Sequence, residues 1–235
     1  MDPSKILITK AGAAAVAKRP APPKKATAKA GGTKKRLPAA ERRQQLIDVA
    51  REVFLNVGRD GVSTHQIADA AGVNVALLYQ HFNSSVELFD VAVLQPLEQV
   101  LTDRVAAAVD TLPVPDGEPR QALAEMHRAL LELLVETAPM LSIALFGDQE
   151  AGREFWRDRI EPLLENWLAA TYGRLKGRHR PADPMTVAKA VFGIHLTQAL
   201  YAHMLGVQLD IPSVSRDISD FVYLGFFDPA ASASA

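Results

Sequence analysis

From Leu37 onward, apolar residues recur at intervals of three and four along most of the chain, and no strand-like alternation of apolar and polar positions interrupts them. The stretch beginning Leu37-Pro38 opens a first helix, with Pro38 suited to a first turn where a missing N–H costs nothing. Leu46, Val49, Ala50, Val53, Phe54 and Val57 line one face of it, Gly58 ends it, and Arg59-Asp60-Gly61 makes a loop. Ser63 and Gln66 form a capping-box pattern at the start of a short second helix, Thr64 to Ala70, stopped by Gly72. Asn74 caps a third short helix, Val75 to His81, and a second capping box, Ser84 with Glu87, opens a fourth. Two short helices joined by Ala71-Gly72-Val73-Asn74 make a helix-turn-helix, locked by Ile67, Ala68, Val73 and Leu78.

The pattern stays helical to the end. Val86 to about Leu112 reads as one long segment kinked at Pro96, where proline removes an internal hydrogen bond. A Pro-rich loop spans 113–119, and Leu123, Met126, Leu130, Leu133 and Leu134 mark the next helix. Met140 to Phe146 reads as a separate short apolar piece ending at Gly147. Phe155, Ile160, Leu163, Leu164, Trp167, Leu168, Tyr172 and Leu175 mark another helix, with a start or bend at Pro162. A loop covers 178–184, Asp183 and Pro184 give an N-cap and first turn, and Met185–Leu205 and Val214–Phe227 are the last two helices. The expected fold is all-α: a three-helix N-terminal helix-turn-helix domain and a larger helical domain.

Charge divides the chain before residue 37. The net charge of −1 hides ten basic residues and one acid in 1–36, a net +9, against −10 for the rest. The segment from Lys18 to Arg36 lacks aromatics and contains Pro and Gly, so it cannot bury a core and is expected to be disordered alone. A basic arm of this kind suits a polyanion such as nucleic acid, and its Ala and Pro offer little to insert into a membrane. With no cysteine, a disulfide framework, a thiolate nucleophile and Cys-ligated metal sites are excluded, which fits a reducing cytosol. No uncharged apolar run approaches the roughly 18 residues of a membrane span, and the apolar N-terminal stretch is split by Lys10 and too short for a secretory signal.

Thr64 to Phe89 resembles the N-terminal DNA-binding domain of TetR-family transcriptional regulators. Thr64, Ile67, Ala68, Ala71, Gly72, Val73, Leu78, Tyr79, His81, Phe82, Ser84 and Leu88 fit that family's pattern, and the match covers about residues 42–90, a fifth of the chain. One departure matters: the family usually has a phosphate-contacting Lys where this chain has Ser85. The resemblance implies that Tyr79, His81 and Thr64 meet phosphates, and His65, beside Thr64, a phosphate or base edge. Val75, Ala76 and Leu77 present short apolar groups suited to thymine methyls, and Gln80 can pair with adenine, so an A·T-leaning half-site is expected. Residues 37–90 carry four arginines against seven acids, so the domain alone should bind duplex weakly. The arm, with Lys34, Lys35 and Arg36 beside the adjacent minor groove, is expected to supply the missing attraction.

The expected divisions are a basic tail (1–36), a DNA-binding domain (37–84) and a ligand-binding and dimerisation domain (85–235). The apolar excess of the last two helices, including Val191, Phe192, Ile218, Phe221, Val222 and Leu224, suggests a homodimer, matching a palindromic operator. The resemblance further implies a small-molecule pocket, for which Met126, His127, Leu130, Met140, Phe146, Trp156, Trp167, Phe192 and His195 are candidates, with a weak lean to a lipophilic or aromatic effector. No metal-binding H-E-x-x-H, G-x-S-x-G or phosphate-binding glycine loop is present, so neither catalysis, a metal nor a cofactor is expected. The expected function is that of a cytoplasmic, ligand-responsive, dimeric transcriptional repressor that binds double-stranded DNA. The alternative is an architectural DNA-binding protein dominated by its basic tail.

Overall fold

In the computed structural model, which describes residues 37–110, 119–172 and 182–226, the three- and four-residue spacing becomes helix throughout, with no strand among the described residues. The basic tail, including Lys34, Lys35 and Arg36, and residues 113–118 of the expected 113–119 loop lie outside those residues, while Pro119 is the first residue of a helix and not part of a loop. Three helices, α1 (Ala39–Val57), α2 (Thr64–Ala71) and α3 (Val75–His81), come first. Their core joins Leu46, Ile47, Ala50 and Phe54 of α1 to Ile67 of α2, Leu78 of α3, and Phe82. Leu88, Phe89, Ala92 and Val93, beyond residue 84, complete this core, with the Phe54 and Phe89 rings packed edge to face at 5.0 Å.

Two prolines shape the long helices that follow. The rod beginning with α4 (Ser85–Phe89) passes through a π-helical turn at Asp90–Leu94 before α5 (Gln95–Asp110). Gln95 donates its N–H back to the carbonyl of Asp90, a five-residue step. Pro96 has no N–H for the carbonyl of Ala92, four residues earlier, and its ring crowds that carbonyl. The wider turn relieves the crowding, and Arg51 of α1 reaches across to donate its Nε–H to Ala92 O at 2.8 Å. The disturbance thus falls in the turn before Pro96 rather than as a simple kink at it. The same device recurs: α7 (Gln149–Phe155) passes through a π turn at Trp156–Ile160 into α8 (Glu161–Tyr172), whose second residue is Pro162.

α6 (Pro119–Phe146) is the centre of the larger core. It runs unbroken through Pro139, so Met140–Phe146 is its last two turns and not a separate piece. α9 (Pro184–Leu205) and α10 (Ile211–Phe226) pack most extensively on it. α10 begins at Ile211, three residues before the expected start. Asp183 caps α9 as its sequence implies, accepting from the Thr186 N–H at 2.8 Å. Leu123–Phe146 is long and apolar enough to cross a membrane by length and composition alone. Its Leu131, Leu133, Leu134, Ala138, Leu141 and Ala144 are buried in protein contacts. α7 crosses the end of α6 so closely that a Cβ on Gly152 would lie 2.3 Å from the Leu145 carbonyl oxygen, which excludes any side chain there.

Between α6 and α9, His127 and His195 are stacked and fully buried, with His127 Nδ1 3.1 Å from His195 Nε2. Burial, and then the neighbouring His195, push His127 down to about 3, and burial also lowers His195. Both rings are therefore neutral at pH 7.

Two outcomes follow. Arg51→Ala leaves the buried Ala92 carbonyl without its donor and should cost about 1–2 kcal/mol, read as a lower urea midpoint at unchanged slope. An unchanged midpoint would show that Arg51 does not support the π turn. The histidines give a pH dependence of definite sign. An unfolded histidine takes a proton near pH 6.5 and native His127 only near 3, so the unfolded chain holds more protons between these values. Stability is full above about pH 6.5 and falls on acidification below it. Melting temperatures at pH 7.5 and 5.0 should therefore diverge more for the native protein than for the double substitution His127→Leu with His195→Leu.

Candidate nucleic-acid interface and effector cavity

α2 and α3 are set by their caps. Ser63 Oγ accepts from the Gln66 N–H, while Gln66 Oε1 accepts from the Ser63 N–H at 2.7 Å. At the other end of α2, Gly72 is left-handed (φ 65°), a conformation that strains an L side chain, and the Val73 N–H closes back on Ala68 O at 2.9 Å. Asn74 Oδ1 accepts from the Leu77 N–H at 2.7 Å and starts α3. At α4, Ser84 Oγ accepts from the Glu87 N–H, but the Glu87 carboxylate reaches one residue further back than a capping box requires, accepting from the backbone N–H and the side-chain amide of Asn83.

This mounting decides which side chains of α3 face out. Leu78 is fully buried and Phe82 nearly so, as expected of inward-packing residues. Ala76, Tyr79 and Gln80 are exposed, while Val75, Leu77 and His81 are half-buried. Thr64 is half-buried at the start of α2; His65 beside it and Ser85 on α4 are exposed. The described candidates thus fall on α3 and on the N-terminal turns of α2 and α4.

Charge counting on the sequence missed the fate of two arginines. Arg51 is committed to Ala92 O, and Arg59 sits 5.0 Å over the Phe89 ring with Nη1 4.0 Å from Asp148 Oδ1. Arg59 thereby ties the α1–α2 loop to the start of α7. Arg43 lies 4.8 Å over the Phe82 ring.

A cavity of about 240 Å³ lies among α5, α6, α8 and α9. Its walls include Leu101 and Val105 of α5, Met126, Leu130, Leu133 and Leu134 of α6, Leu163, Leu164 and Trp167 of α8, and Ala188, Val191 and Phe192 of α9. Arg104 and Glu132 add charge, and each has an ion-pair partner, Glu136 and Arg128 respectively. Of the pocket candidates read from sequence, Met126, Leu130, Trp167 and Phe192 line it. Trp156 packs edge-on against Phe192 from behind. His127 and His195 form the buried pair, Met140 packs against both cores, and Phe146 is exposed at the end of α6. These last five are not among the lining residues. Leu101, Val105 and Leu163 went unnoticed because an apolar stripe reads the same whether it faces a neighbour or a void.

Residues 46–92 match the family of bacterial regulatory proteins of the tetR type. Over this segment the chain is similar to the TetR family. The HTH-type transcriptional activator FasR of Mycolicibacterium smegmatis is 45% identical over 84 residues, 35% of this chain and 38% of FasR. The chain thus spans well under half the length of this curated relative. Among solved structures, the ketosteroid transcriptional regulator KstR2 of Mycobacterium tuberculosis superposes with a TM-score of 0.59 at 21% identity, covering 80% of this chain and 95% of KstR2. NalD, the secondary repressor of the MexAB-OprM efflux pump in Pseudomonas aeruginosa, gives 0.57 at 19%, covering 81% and 98%. Both show the shared all-α fold.

The mounting of α3 separates scaffold from surface by thermal unfolding. Asn74→Ala should cost about 1 kcal/mol through loss of the cap, and Leu78→Ala about 2–5 kcal/mol through the cavity it opens. Tyr79→Phe should stay within about 0.5 kcal/mol, since the residue is half exposed. A large loss from Tyr79→Phe would make its hydroxyl structural.

Proposed function

We propose that this protein is a ligand-responsive transcriptional regulator of the bacterial cytoplasm, which binds a palindromic operator as a homodimer. The observation that carries the reading is the rigidly capped α3, with Ala76, Tyr79 and Gln80 outward over a buried Leu78. Such a helix enters the major groove, while Thr64, His65, His81 and Ser85 flank it toward the phosphates. Val75, Ala76, Leu77 and Gln80 favour A·T pairs. The withdrawal of Arg51 and Arg59 into internal contacts strengthens the case that Lys34, Lys35 and Arg36 supply much of the phosphate attraction.

Support for a homodimer is the exposed apolar surface of the last two helices: Tyr201, Met204 and Leu205 on α9, Phe221 and Leu224 on α10. A second copy would cover it. The effector reading rests on the mostly apolar cavity, and a ligand there would couple to DNA binding by about 1–3 kcal/mol. A lipophilic effector fits the mostly apolar lining. Repression is the proposed direction, as in NalD, whereas FasR is named an activator.

The test is titration of the DNA upstream of the protein's own gene at two salt concentrations, with excess random duplex as competitor. The full chain should protect a palindrome that survives competition. A chain starting at Leu37 should bind more weakly with a flatter salt slope, and an unchanged slope would remove the arm from the reading. Tyr79→Phe should weaken binding about tenfold at unchanged slope. Phe221→Glu with Leu224→Glu should give a folded monomer that no longer protects the site. Binding lost to random duplex would favour the architectural reading, in which the tail dominates.

A further inference from the structure

Residues 37–90 carry four arginines, no lysine and seven acids, so the use made of each arginine matters. Arg51 gives its Nε–H to Ala92 O, Arg59 faces Asp148, and Arg42 gives an Nη1–H to Gln45 Oε1 at 2.6 Å. Arg43 differs. Its guanidinium lies 4.8 Å over the Phe82 ring, and among the described residues it has neither an acid nor a hydrogen-bond partner. Phe82 is 1% exposed and belongs to the first core, so the ring is a fixed platform. An aromatic face attracts a cation without cancelling its charge and uses none of the five N–H donors. Arg43 is only half-buried, so charge and donors stay open to an anion.

Phe82 also gives the guanidinium its place. It directly follows His81, the last residue of α3, and stands three positions before Ser85, the first residue of α4. His81 and Ser85 flank α3 toward the phosphates in the proposed DNA-binding mode, and Ser85 brings a hydroxyl but no charge. We propose that Arg43 is a phosphate-binding residue of the DNA interface, held on Phe82 and supplying the cation that Ser85 lacks. The proposal rests on reading α3 as a DNA-reading helix and adds to it a contact from α1. A planar guanidinium can give two parallel N–H bonds to one phosphate. Seating it on a buried ring before DNA arrives lowers the ordering cost of that contact.

The test uses the full-length protein, with the DNA upstream of its own gene and a random duplex of equal length. Arg43→Met keeps an apolar stem over Phe82 and removes the charge. It should weaken binding about tenfold on both duplexes. It should also lower the log–log salt slope by about 0.9, the share of one phosphate. Arg43→Lys keeps the charge and should keep the native slope. An unchanged slope in Arg43→Met overturns the phosphate contact and leaves the DNA-reading helix standing. A slope that falls equally in Arg43→Lys assigns the effect to lost packing on Phe82 and also overturns the contact. Failure of the native chain to bind either duplex overturns both readings. Should Arg43→Met fail to fold, the native protein decides. The Nε–H resonance of Arg43, assigned by its loss in Arg43→Lys, should move when duplex is added, and an unmoved resonance overturns the contact.

Discussion

The carbonyl that Pro96 leaves without a donor is the point on which the two cores turn. The rod from α4 through α5 belongs to the first core at Leu88, Phe89, Ala92 and Val93, and to the second at Leu97 and Leu101. One rod can serve both because the π turn admits an extra residue where the chain passes from one core to the other. Arg51, from the helix that backs the α2–α3 pair, occupies the carbonyl so released. Arg59 makes a second tie from the α1–α2 loop to Asp148. Leu94 and Met140 pack against both cores. A shift of α5 or α6 can therefore be passed to α1, which the proposed effector response requires.

These ties affect the electrostatics of recognition. The first domain has few cations, and two of its arginines are turned to structural use. A cation held against a carbonyl or a carboxylate contributes less to phosphate attraction than one free to follow the backbone. On the proposed reading, the basic arm, with ten basic residues against one acid, complements this arrangement. On that same reading, affinity and direction come from separate parts of the chain: the arm for attraction, α3 for which edge is read.

The interior follows a similar division. Most of the cavity wall is interchangeable apolar surface, which excludes water and sets size but says little about chemistry. The histidine pair lies outside that wall, and its polarity propagates from the Val191 carbonyl through two rings to a single lone pair. Burial makes that lone pair consequential, since no water competes for it. The same burial makes the pair a stability liability in acid.

How much was legible in the sequence depended on the range of the interaction concerned. Local chemistry determined the all-α class, the capped α2 and α3, the inward Leu78 and Phe82 and the Asp183 cap, because caps and apolar periodicity involve residues within one turn of each other. Pro96 and Pro162 announced a disturbance for the same reason. The form of that disturbance, a π turn answered by Arg51 from a distant helix, was settled only in three dimensions. So was the continuity of α6 through Pro139, where packing on α9 and α10 outweighs one missing hydrogen bond. His127 and His195 were singled out individually, but 68 positions separate them, and only the packing of α6 on α9 makes them a pair. Sequence alone set which faces were apolar. Tertiary structure decided which of those faces met a neighbour and which met a void, because that depends on how helices far apart in the chain fit together.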